Sequence, residues 1–222
     1  MHLSKGKKLL IFGTVLVIAD QIIKVLVKTN MSLGESFPVI GNWFKILFIE
    51  NEGMAFGMKF GGVVGKFCLS LFRIGLFSLL CWWITKLCRK KCDPAHQKEQ
   101  RPVPVGVLVG LTLIAAGALG NLIDSLFYGI IFSESVPGTV ASFGGHYAPF
   151  MFGKVVDMFY FPLIDTYWPD RMPLVGGHPL RFFEPVFNFA DSCVTVGAFY
   201  LILFQYKFFA KEESSDKKTT KA

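Results

Sequence analysis

Three aspartates sit where an apolar chain has least reason to carry them. Asp124 follows Asn121 by three residues at the end of one apolar run, and Asp191 follows Asn188 by three at the start of another. At that spacing on a helix an Asn and its Asp share a face, so the amide can hold the carboxylate or a substrate carbonyl. Asp157 lies between them, in Lys154-Val-Val-Asp157-Met-Phe-Tyr-Phe161. Two carboxylates that share one proton can activate a water with the ionised member and protonate an amide with the other. Amide hydrolysis is thus available to this set without metal or cofactor. Helix capping and interfacial hydration would use the same five residues, and spacing alone leaves both readings open.

Other chemistries find less material. The histidines, His2, His96, His146 and His178, fall in the amino-terminal tail or in loops, and neither Gly-x-Ser-x-Gly nor His-Glu-x-x-His occurs. A phosphate-cradling glycine loop is absent as well. Cys88-x3-Cys92-x3-His96 lacks a fourth ligand and a familiar zinc spacing, so no metal is expected. The outer connections hold no cysteine, which excludes a disulfide framework there.

The elements that must position these groups are apolar and long. Charged residues make up 18% of the chain, below the quarter or so of a soluble domain. Four runs, about 9–27, 67–87, 103–123 and 189–209, reach the roughly 20 residues a bilayer crossing needs. The first is not a cleaved leader, because Asp20, Gln21 and Lys24 continue it and no small-residue cleavage site follows. Lys5, Lys7 and Lys8, the basic cluster of 86–101 and the lysines of 207–221 place both termini on the cytoplasmic side. The same asymmetry accounts for the net charge of +7 without nucleic acid. The other two connections, about 28–66 and 124–188, then lie outside.

Within the first outer connection, Phe44–Asn51 reads as a strand leading into the turn Glu-Gly53-Met-Ala-Phe56. With the run 154–161 it predicts a small sheet of two or three strands on the membrane surface. Segments 130–152 and 162–185, rich in Gly, Pro and aromatics, read as ordered loops or interfacial pieces. The tail 211–222 is polar and reads as disordered. Gly106, Gly110, Ala116, Gly117 and Gly120 on the third span form a stripe that lets helix backbones approach closely. Asp20 and Lys24, four residues apart on the first span, predict a structural ion pair. Arg73, inside the outer end of the second, either snorkels or meets an anionic group.

Taken together, five local motifs resemble the bacterial lipoprotein signal peptidases (signal peptidase II), a family of membrane aspartyl proteases. They are Asp20-x-x-x-Lys24, Asn51-Glu-Gly-Met-Ala-Phe56, Gly117-Ala-Leu-Gly-Asn-Leu-Ile-Asp124, Gly153-Lys-Val-Val-Asp157 and Phe187-Asn-Phe-Ala-Asp191-Ser. The resemblance covers nearly the whole chain. It implies an all-α membrane protein, four transmembrane helices with a small extracytoplasmic β-sheet, in the inner membrane with its site at the outer face. It implies an endopeptidase that cuts diacylglyceryl-modified prolipoproteins before the lipidated cysteine, in contact with membrane lipid, with no cofactor, and functional as a monomer. The catalytic pair falls on Asp157 and Asp191. Asn51, Gly53, Asn121, Asp124, Asn188, Asp20, Lys24 and Arg73 fall on supporting positions. Two departures stand out: Ser125 occupies a position where the family usually has Arg, for which Arg73 or Arg181 could substitute, and an insert occupies about 130–152.

The rival reading is a small proton-coupled carrier or assembly protein using the same carboxylates. Carriers tend to show paired repeats and broken helices near the midplane, and no repeat is found here. A Ser/Lys peptidase would need a paired serine and lysine, whereas Lys24 already has Asp20.

Overall fold

The structure, a computed structural model, describes residues 4–52, 62–89, 103–173, 176–182 and 185–209. Its helices are α1 (Lys5–Asn30), α2 (Gly62–Arg89), α3 (Val105–Ile123), the single turn α4 (Gly129–Ile131) and α5 (Phe189–Phe204). Ser4 caps α1, its hydroxyl accepting from the Lys7 N–H at 3.4 Å. Pro104 precedes α3, where its missing N–H costs nothing and its carbonyl accepts from Val107. Between α3 and α4 the backbone widens into a π turn at Asp124–Tyr128, so the helical segment Val105–Ile131 runs on unbroken.

Among the described residues, three helical segments are long and apolar enough to cross a membrane: Lys5–Asn30, Gly62–Arg89 and Val105–Ile131. The expected fourth span is shorter. Helix α5 has 16 residues, about 24 Å of rise, against a hydrocarbon core of about 30 Å. It bends at Gln205, and residues 206–209 are helical again.

The chain is mostly helical but not purely so. Strands β1 (Ser36–Ile40), β2 (Phe44–Asn51), β3 (Val155–Tyr160) and β6 (Val186–Phe187) form one antiparallel sheet in the order β1-β2-β3-β6. Strands β4 (Ile164–Tyr167) and β5 (Pro179–Phe182) form a separate pair. The expected strands are β2 and β3; the others exceed the expectation. Strand β1 escapes a sequence reading because it carries Pro38, which a sheet tolerates at an edge, and its register with β2 shifts between Pro38 and Ile40.

The chain divides into two compact units. The first comprises Met1–Ala19, Leu71–Leu122 and Ala190–Ala222, and its core is built on Leu87, Val107, Leu108, Leu111 and Leu201. Here the small-residue stripe of α3 meets α5. A Cβ on Gly110 would lie 2.6 Å from the Leu201 side chain, and one on Gly117 would lie 2.2 Å from the Ala190 carbonyl oxygen. Only glycine lets the two backbones come this close.

The second unit comprises Asp20–Ser70 and Ile123–Phe189, with Met31, Phe48, Tyr128, Phe132, Val156 and Met158 at its centre. Along β3, Val156 and Met158 are in this core, so the alternation of a strand turns Asp157 to the opposite face. Asp157 pairs in register with Ile49 of β2, and Asn51, two residues on, lies on that same face.

Candidate active site

In the second unit a buried cation organises the acids. The Lys24 ammonium lies 2.9 Å from Asp20 and 2.8 Å from Asp124, and all three side chains are sealed from solvent. The pair Asp20–Lys24 is the one the i,i+4 spacing predicts. Gln21 ties the cluster together: its amide donates to Asp20 at 3.1 Å and to Asp124 at 3.0 Å, and its oxygen accepts from the Tyr128 hydroxyl at 3.1 Å. A buried charge needs such complete partnering, because removing it from water costs several kcal/mol by itself.

Asp124 also holds the strand that carries Asp157. Its second carboxylate oxygen accepts the Val156 N–H at 3.3 Å. The approach to that strand is equally close. A Cβ on Gly153 would lie 2.0 Å from the Asp124 carbonyl oxygen, and the Gly153 N–H donates to the Ser125 carbonyl at 2.9 Å. Gly153 is therefore glycine because the chain passes directly against the π turn. Asp157 itself is 3% exposed, and its carboxylate accepts from the amide of the fully buried Asn188 at 2.7 Å.

In the first unit, Asp191 lies in the first turn of α5 and is half-buried. The Asn121 amide of α3 donates to its carboxylate, also at 2.7 Å. Each amide thus reaches an acid distant in the chain. Asn121 donates to Asp191, 70 residues on, and Asn188 to Asp157, 31 residues back.

The remaining expected residues are placed as follows. Asn51 ends β2, half-buried. Arg73 lies in α2, half-buried. Arg181 lies in β5 opposite Asp165 in register. Gly53, and with it the turn to Phe56, lies outside the described residues, as do Cys92, His96 and the tail 211–222.

A second buried charge network went unread in the sequence. Lys28 of α1 pairs with Glu50 of β2, and both contact the Ser135 hydroxyl, at 2.7 Å and 2.9 Å respectively. The rings of Phe48, Phe132 and Tyr147 surround the ammonium at 5.1–6.0 Å from their centroids. Burial pushes the Tyr147 phenol above its ordinary range, so it stays neutral beside two lysines. Lys28 follows Lys24 by four residues, and the spacing Asp20, Lys24, Lys28 is one continuous helix face. That stripe was the available signal. Through Ser135, Phe132 and Tyr147 the insert 130–152 is built into this core rather than draped over it.

Comparison with known proteins decides the family. The profile of the signal peptidase (SPase) II family matches residues 12–207. The chain belongs to the signal peptidase II family. A lipoprotein signal peptidase of Porphyromonas gingivalis is 45% identical over 205 residues, covering 91% of this chain and 84% of that one. A lipoprotein signal peptidase of Amoebophilus asiaticus is 33% identical over 189 residues, covering 84% and 72%. A solved bacterial membrane enzyme at 2.3 Å resolution shares the fold with a TM-score of 0.56 at 22% identity, covering 92% of this chain and 91% of its own. As a member of the signal peptidase II family the chain is a peptidase, and the carrier reading finds no support among these relatives.

Proposed function

We propose that this chain is an aspartyl endopeptidase that removes the signal peptide from diacylglyceryl-modified prolipoproteins, cleaving before the lipidated cysteine. Asp157 and Asp191 are the catalytic pair in this reading. The observation that carries it is that each carboxylate accepts an Asn amide at 2.7 Å, Asn188 for Asp157 and Asn121 for Asp191. An amide donor on one oxygen of each acid favours its ionised form and fixes the orientation of the carboxylate. The ionised acid takes a proton from the attacking water as it adds to the scissile carbonyl. The protonated acid donates to the carbonyl oxygen, giving a tetrahedral diol. The acid that took the water proton then gives it to the departing nitrogen, while the other recovers a proton from the diol as the C–N bond breaks. Asp124 does no chemistry here, since Lys24 and Gln21 already engage it and its task is to hold β3. Asn51 shares the Asp157 face of the sheet and is placed to contact an extended substrate.

The same reading has four spans, with α5 and the helical residues 206–209 forming the fourth. It places both termini in the cytoplasm, the sheet at the outer surface of the inner membrane, and a single chain as the working unit. The basic residues of 86–101 and 207–221 support that orientation.

The test is to incubate the purified chain with a precursor peptide carrying diacylglyceryl on its cysteine. Cleavage immediately before that cysteine, and none of the unmodified peptide, is expected. Cleavage elsewhere, or equal cleavage of the unmodified peptide, overturns the reading.

A further inference from the structure

Helix α2 is thinly packed. Of its most apolar stretch only 6% is buried within the protein, against 56% for α3. Beside it, in the first unit, a groove of about 450 Å³ runs between the first half of α1, the second half of α2 and α3. Its walls include Gly13, Thr14, Cys81, Thr85, Thr112 and Ala116. Two of its hydroxyls are engaged within their own helices: Thr85 donates to the Cys81 carbonyl and Thr112 to that of Leu108, both at 2.7 Å. What remains is a hydrocarbon surface, and an unfilled groove would forfeit the dispersion contacts of its lining.

The charge at one end says what fills it. Arg89, the last residue of α2, lines the groove. Lys5 and Lys8 line an adjoining apolar hollow of about 290 Å³, and Leu9 belongs to both walls. Neither lining contains an acidic residue, and the first turn of α1 has none. Hydrocarbon crevices that end in cations match a molecule with an acyl chain and an anionic head. A signal peptide matches poorly, because its own amino-terminal region is positively charged. We propose that this groove binds an anionic phospholipid, with an acyl chain between α1, α2 and α3 and its phosphate on Arg89. None of the residues assigned to catalysis lines the groove, so the site stands apart from the peptidase reading.

Native mass spectrometry of the full chain in detergent tests this, with phosphatidylglycerol and phosphatidylcholine of matched acyl chains as probes. The wild type retains phosphatidylglycerol in preference. Arg89→Gln reduces that retention about fivefold, the worth of one basic residue at an anionic headgroup, and lowers that of phosphatidylcholine less, because choline offsets the charge of its phosphate. Filling the groove with Thr14→Trp, or from the other wall with Cys81→Phe, reduces retention of both lipids. Asp157→Asn alters neither, which separates the outcome from that of the cleavage assay. Equal retention of the two lipids by wild type overturns the proposal, as does an undiminished preference in Arg89→Gln. Displacement of phosphatidylglycerol by a synthetic signal peptide would give the groove to substrate and overturn it equally.

Discussion

The carboxylate of Asp124 accepts the backbone N–H of Val156, the residue just before Asp157, while its other contacts hold the buried ammonium of Lys24. One aspartate is thereby committed to placing another. This relationship separates the three acids by task, where their spacing in the chain alone would treat Asp124 and Asp191 as equivalents.

Asp157→Asn and Asp191→Asn should each abolish cleavage with folding intact, because each removes a titrating acid and keeps its size. Asp124→Asn should leave Lys24 under-compensated and lower stability by about 3–5 kcal/mol, the usual cost of breaking a buried pair. Its residual folded fraction should still turn over. Helicity, thermal transition and cleavage of a lipidated precursor are measured for all three. A folded, inactive Asp124→Asn beside an active Asp157→Asn would reverse the assignment.

Lys28→Met should strand Glu50 in the second unit and cost about 3–5 kcal/mol. Adding Glu50→Gln to Lys28→Met should recover part of that loss, since no unpaired charge then remains. A double-mutant cycle on the thermal transition reads the coupling. Strict additivity would show that the two residues do not act as a pair.

Gly153→Ala and Gly117→Ala should each destabilise by about 1–3 kcal/mol, since a methyl group has backbone oxygen in its way at both positions. Gly75→Ala, where a Cβ meets nothing within 4 Å, serves as the control and should be close to neutral. Thermal transitions of the three variants suffice. Equal shifts in all three would detach the effect from the close approaches.

Reporter tags in the 91–100 connection and at the carboxyl end should be protected from outside reagents, and tags near 140 and 175 should be accessible. An accessible 91–100 connection would invert the orientation given to every site residue.

Much of this was legible beforehand, for physical reasons. Long apolar runs fix α1, α2 and α3 to within a few residues, and β-branched and aromatic clustering marks β2 and β3. The Asp20–Lys24 pair follows from helical spacing alone. The reach of Asn121 to Asp191 and of Asn188 to Asp157 was not legible, because the partners lie far apart in the chain. Nor were the partners of Lys28, since Glu50 and Ser135 are distant in the chain and look like ordinary loop polarity. Strand β6, with two residues, exists only because β3 is there to pair with it.

The partners of Lys24 differ in when they are made. Asp20 precedes it on the same helix, whereas Asp124 is synthesised only after α2 and α3. Chains emerge amino end first, so α1 enters the bilayer with its lysine already matched by a local acid. The lysine then receives its second acid when α3 arrives. Lys28 finds its acid, Glu50, 22 residues further on in β2. Strand β2 is made before Asp124, so the carboxyl end of α1 has its acid before Lys24 gains its second one.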